Sequence, residues 1–214
     1  MVADSRRRIL SGPGATKATS SLVLLVAAAA AVVAVALPVN QLTQPGGVVS
    51  VPTLDPGALG SLSVPGLPED GFLQLDPTAG GLTYYASSLP WPLRLLTEAG
   101  PSVMALCTAV GAWLLWRLLR DIAAGRPFHP RNPLRIGGIA VAILIGVIAG
   151  GLLQNIATAT VMGRSGIQFG EPPFRDMTVM QVSLAPVIVA FVLFIVADVF
   201  RRGRQLSEDV EGLV

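Results

Sequence analysis

Charge is scarce in this chain: Asp, Glu, Lys and Arg make up 13% of its 214 residues, against 52% hydrophobic. A soluble domain of ordinary composition has roughly 25% charged residues, so the shortage excludes a normal globular surface. The single cysteine, Cys107, rules out a disulfide within the chain and a thiolate metal cluster. The single histidine, His129, sits in Pro127-Phe128-His129-Pro130 with no cysteine or carboxylate at ligand or triad spacing. Metal binding and general-base catalysis therefore have no constellation to rest on. No Gly-rich loop leads into Lys-Ser or Lys-Thr, which removes the phosphate cradle of a nucleotide-binding enzyme. A net charge of +2 and a pI near 9.2 would admit nucleic acid. However, the basic residues flank apolar blocks instead of alternating with aromatics, and no direct nucleic-acid contact is expected.

What the chain does have is long apolar runs. Leu22 to Pro38, Ser102 to Leu119, Ile136 to Leu153 and Val182 to Phe200 are almost free of charge. Eighteen residues at about 1.5 Å of rise cover roughly 27 Å, close to the hydrocarbon thickness of a bilayer. The expected fold is an all-α membrane protein, a bundle of four transmembrane helices. A small extracytoplasmic insertion carrying short β-favouring runs separates helices one and two. The boundaries read as a basic tail at 1–21, spans at 22–39, 100–120, 135–160 and 181–200, the insertion at 40–99, a hairpin at 121–134, a loop at 161–180 and a tail at 201–214. The first span also has the basic flank and Ala34-Val35-Ala36 of a cleaved secretory signal. Its poly-Ala centre suits a retained helix packed closely in a bundle, and retention is the reading preferred here.

Within 40–99, the runs Val48–Val51, Phe72–Leu75 and Leu82–Tyr85 are separated by Pro, Gly and Asp. Phe72–Leu75, a loop from Asp76 to Gly81, and Leu82–Tyr85 have the pattern of a β-hairpin. The same composition also suits an irregular loop, since so short a segment buries little core of its own.

Orientation follows from the basic residues. Twelve of the fifteen Lys and Arg lie in the first tail, in 117–135 or after Phe200, leaving Arg94, Arg164 and Arg175 for the other side. Both chain ends are therefore expected in the cytoplasm. The only charges inside the four apolar runs, Arg117 and Asp198, lie within a turn of the inner boundary, which argues against an ion-coupled carrier. Their equal depth and opposite sign suggest a pair between helices two and four. The alternative is that Arg117 reaches to the interface while Asp198 pairs with Arg201 or Arg202. Gly138, Ala142, Gly146 and Gly150 recur every four residues and lay small side chains along one face, for a contact inside the bundle or between two copies.

Two stretches resemble a known family. Leu118-Leu119-Arg120-Asp121-Ile122-Ala123-Ala124-Gly125-Arg126-Pro127-Phe128, with Asn132 and Leu134-Arg135-Ile136-Gly137, is similar to the central hairpin of the bacterial DUF2975 membrane proteins. The ending from Val199 to Val214 is similar to theirs as well. The resemblance implies a four-helix protein of the bacterial plasma membrane with no assigned activity. By association with neighbouring genes in such bacteria, it implies a cytoplasmic helix-turn-helix regulator as a partner. The tail mixes Glu208, Asp209 and Glu211 with Leu206, Val210, Leu213 and Val214 at spacings that suit a short amphipathic turn. Candidate interaction residues are thus Arg117, Asp198, Pro127, Phe128, Asn132, Leu206, Glu208, Asp209 and Leu213. The expected role is non-enzymatic and regulatory or accessory, with the lipid bilayer and a regulator or second membrane protein as partners; the alternative is a subunit of a transport or export complex. No cofactor and no small-molecule substrate is legible.

Overall fold

The computed structural model describes residues 13–44, 49–53, 71–76, 81–126, 129–164 and 184–211. Four helices, α1 (Pro13–Thr43), α2 (Trp91–Ala123), α3 (Asn132–Arg164) and α4 (Leu184–Glu211), account for most of them. Three strands, β1 (Val49–Thr53), β2 (Gly71–Asp76) and β3 (Gly81–Ala86), lie between α1 and α2 in the chain. Each helix holds a stretch long and apolar enough to cross a bilayer: Ala18–Thr43, Trp91–Ala123, Asn132–Val161 and Leu184–Gln205. Large apolar side chains stand exposed along them, Leu25, Val32, Phe191 and Ile195 each by more than 60%. Exposure on that scale is expected only where lipid replaces water.

The helices overrun the apolar blocks. Hydropathy marks the stretch that lipid tolerates, whereas backbone hydrogen bonding continues until a cap ends it. Helix two begins at Trp91 instead of residue 100, because Pro92 falls in the first turn, where its missing donor is lost at no expense. The Pro90 carbonyl accepts from Leu93 N and Arg94 N at 3.0 and 3.3 Å. Pro101 is carried inside the helix. The tail expected at 201–214 is helical as far as Glu211.

Packing divides the chain into two units, one of residues 1–33, 104–147 and 183–214, the other of 34–103 and 148–182. In the first, α2 and α3 run antiparallel through small residues. A Cβ built at Gly146 would meet Cys107 Cβ at 3.1 Å, one at Gly138 would meet Leu114 Cδ1 at 2.9 Å, and one at Gly111 would reach Ala142 Cβ at 3.9 Å. The core here is largely alanine, with Ala27, Ala109, Ala140, Ala142 and Ala190 buried beside Leu118 and Ile136. Small side chains let helix backbones approach where lipid offers no hydrophobic drive to associate.

In the second unit, a Cβ at Gly100 of α2 would lie 2.7 Å from the Gly150 carbonyl oxygen of α3. The four small residues Gly138, Ala142, Gly146 and Gly150 thus all face α2. This unit also holds an antiparallel sheet of order β1-β3-β2. Phe72 pairs with Tyr85 and Leu75 with Leu82, so β2 and β3 form the hairpin that the turn residues suggest. The expected strand at Val48–Val51 is found as β1 at Val49–Thr53, whose Val49 pairs with Ala86 of β3 instead of extending from β2. Pro52 is tolerated because, among the described residues, β1 has a neighbour on one side only.

Candidate functional site

The turn from α2 to α3 is built from its backbone outward. Gly125 adopts φ +73°, Gly125 N bonds the Ile122 carbonyl and Arg126 N the Asp121 carbonyl, both at 3.0 Å. This is the double-bonded helix end that calls for glycine, because a Cβ would strain the left-handed residue. Asn132 N bonds the His129 carbonyl at 2.9 Å and opens α3.

Side chains then lock the two helix ends together. Arg135 Nη1 reaches Asp121 Oδ2 at 2.5 Å, Asn132 Oδ1 at 2.9 Å and the Arg117 carbonyl at 3.3 Å. One nitrogen with two hydrogens serves three acceptors, so the longest contact, to Arg117, is the weakest. Asp121 and Arg135 are 17% and 13% exposed, and Asn132 is wholly buried. His129 Nδ1 stands 3.5 Å from Asp121 Oδ2 and 3.3 Å from Arg131 N. An unprotonated Nδ1 accepts the Arg131 N–H, whereas a protonated one donates to Asp121; the two contacts exclude each other.

Asn132 is thereby a structural member of the clamp. Asp121 and Arg135, its centre, were not singled out from the sequence, although both lie in the family-like hairpin. The missing signal was their separation of fourteen residues across a turn whose register only the fold supplies. Pro127, Phe128 and Leu213 lie outside the described residues. Leu206, Glu208 and Asp209 belong to the backbone of α4, and their side chains lie outside the described ones.

The pairing of Arg117 with Asp198 is corrected. Asp198 Oδ2 is held by Arg202 Nε at 2.9 Å and its Oδ1 by Arg201 Nη2, one turn along the same helix. Arg117 instead lies over the Trp113 ring, 4.2 Å from its centroid. Neighbours at i+3 and i+4 reach Asp198 without crossing to another helix, so local pairing wins.

The second unit contains a separate polar group. Gln41 Nε2 of α1 donates to Glu98 Oε1 of α2 at 3.1 Å, and Arg94 Nη1 donates to the Gln44 carbonyl at 2.6 Å. Gln41 Oε1, Arg94 Nε, Ser102 Oγ and Gln154 Oε1 are buried without a protein partner. Asn155 Nδ2 bonds back to the Gly151 carbonyl at 2.8 Å. No group of three or more His, Cys, Asp or Glu stands at metal-binding distance among the described residues.

Four lipid-compatible helices and a clamped, arginine-bearing turn define a multi-pass helical membrane protein. The chain belongs to the family described as "Protein of unknown function (DUF2975)", which it matches over residues 82–214, more than half its length. That range covers α2, α3, α4 and the whole clamp. No curated protein and no solved structure matches the chain.

Proposed function

We propose that this protein is a non-enzymatic regulatory or accessory component of the bacterial plasma membrane, acting through the turn between α2 and α3 and the segment 201–214. Both ends face the cytoplasm in this reading and the strand-bearing segment lies outside. The placement of twelve of fifteen basic residues supports that orientation. The observation that carries the proposal is the clamp of Asp121, Arg135 and Asn132. A glycine-capped turn needs no such network in order to reverse the chain, yet three polar side chains tie the two flanking helix ends together while Arg126 and Arg131 stay exposed beside them. A surface fixed in advance spares its partner the entropy of ordering it. The partner class is a cytoplasmic regulator, of the helix-turn-helix kind that the family resemblance implies, or a second membrane protein.

Photo-crosslinkers placed at positions 126 and 131 in native membranes test this. A cytoplasmic protein captured by the full chain and lost on deleting 207–214 or on Arg135→Gln supports the proposal. Capture that persists through both changes refutes it. A second reading, a subunit of a transport complex, draws on the buried atoms Gln41 Oε1, Ser102 Oγ and Gln154 Oε1, which have no protein partner, since buried polar groups inside a membrane mark solute paths. Solute flux in proteoliposomes that falls with Gln154→Leu favours this second reading.

A further inference from the structure

Near its C-terminal end α2 carries Trp113, Trp116, Arg117 and Arg120, spaced so that all four form one stripe. Trp113 is two residues from Gly111 and Trp116 two from Leu114, roughly 200° round the helix from the residues that meet α3. Each arginine lies over an indole four residues earlier. Arg117 Cζ is 4.2 Å from the Trp113 centroid and Arg120 Cζ 4.9 Å from that of Trp116. Neither arginine enters an ion pair among the described residues, and Asp121, the adjacent acid, is taken by Arg135. Stacking occupies the flat face of a guanidinium and leaves its N–H edge free for paired hydrogen bonds to phosphate oxygens. On the same side of α2, further into the apolar run, Leu106 and Val110 are 55% and 43% exposed.

We infer that this stripe is a binding site for an anionic phospholipid. The phosphodiester sits on the edges of Arg117 and Arg120, the glycerol region lies against the two indoles, and an acyl chain follows Val110 and Leu106. That apolar continuation selects lipid over a soluble phosphate, which has nothing to place there. The site is independent of the partner-docking role proposed above, because it lies on the flank of α2 and uses none of the clamp side chains, Arg117 lending the clamp only its backbone carbonyl.

The test uses the full chain with Trp91→Phe, so that Trp113 and Trp116 alone fluoresce, in phosphatidylcholine nanodiscs. These are doped with spin-labelled phosphatidylglycerol or, separately, spin-labelled phosphatidylcholine. The expected result is stronger quenching by the anionic label, with the preference falling about fivefold for each arginine changed in Arg117→Gln and Arg120→Gln. Arg126→Gln with Arg131→Gln removes the same charge outside the stripe and leaves the preference near its original value. Equal quenching by the two labels overturns the inference, as does an equal fall in the Arg126/Arg131 variant. Arg117→Lys with Arg120→Lys keeps the charge and loses the planar stack, so an undiminished preference there reduces the site to diffuse surface charge and overturns it. Displacement of the anionic label by excess soluble glycerol phosphate overturns the lipid assignment.

Discussion

Among the described glycines, Gly100 is the one where an added methyl group would meet the shortest contact. A Cβ there would lie 2.7 Å from the Gly150 carbonyl oxygen, 3.1 Å from Gln154 N and 3.2 Å from Gln154 Cβ. The first contact falls about 0.7 Å short of ordinary van der Waals distance, and its partner is backbone that no rotamer change can move aside. The methyl would also crowd the ring of Pro101, since a Cβ on the residue before proline disfavours helical geometry. Overpacking costs roughly 1–3 kcal/mol, and a clash this short against backbone takes the upper part of that range, about 2–3 kcal/mol, against about 1 kcal/mol that alanine returns in helix propensity. Gly100→Ala should therefore lose about 1–2 kcal/mol in stability, while Gly137→Ala and Gly151→Ala, whose methyls meet nothing within 4 Å, lose nothing. Gly138→Ala should be mild, because its 2.9 Å neighbour is the tip of Leu114, which can rotate away. Unfolding of the full chain in mixed micelles with rising fractions of dodecyl sulfate, followed by tryptophan fluorescence, reads the series. A Gly100→Ala protein as stable as the parent, or more stable than Gly151→Ala, would refute the reasoning.

Arg135→Met leaves Asp121 and Asn132 Oδ1 half-buried or buried without their cation and should cost about 1–3 kcal/mol in the same unfolding assay. Arg135→Lys, which keeps the charge, should lose less; equal losses would show that charge contributes nothing to the clamp. Asp198→Asn should change stability by under about 0.5 kcal/mol, because Arg201 and Arg202 are 70% and 76% exposed. Combined with Arg117→Gln the effects should add to within about 0.5 kcal/mol, and a larger coupling would restore the interhelical pair. Glu98→Leu alone strands Gln41 Nε2 and should destabilise, whereas Gln41→Leu with Glu98→Leu should recover part of the loss; a double variant worse than the sum refutes the contact.

The four helices were legible because the need to satisfy backbone polar groups in lipid leaves few solutions for a nearly uncharged apolar run of about eighteen residues. The β2–β3 hairpin was legible from turn residues at fixed offsets. Helix ends were less so: the span expected at 100–120 belongs to a helix that starts at Trp91, because Pro92 fills a first turn and Pro101 is carried within α2. The small-residue repeat of α3 announced close approach, but not whether its neighbour would be α2 or a second copy.

Composition and order of residues thus decided that the chain enters a membrane and roughly where, since hydrophobic length and arginine placement act through solvent and need no partner. Which side chains meet was decided only on folding. Asp198 found its cations within a turn, Asp121 found Arg135 across one, and Arg117 turned to an indole on its own helix. These choices turn on differences of an ångström or two in helix register and facing. Such distances are set by packing Gly100, Gly138 and Gly146 against their neighbours, and no reading along the chain contains them.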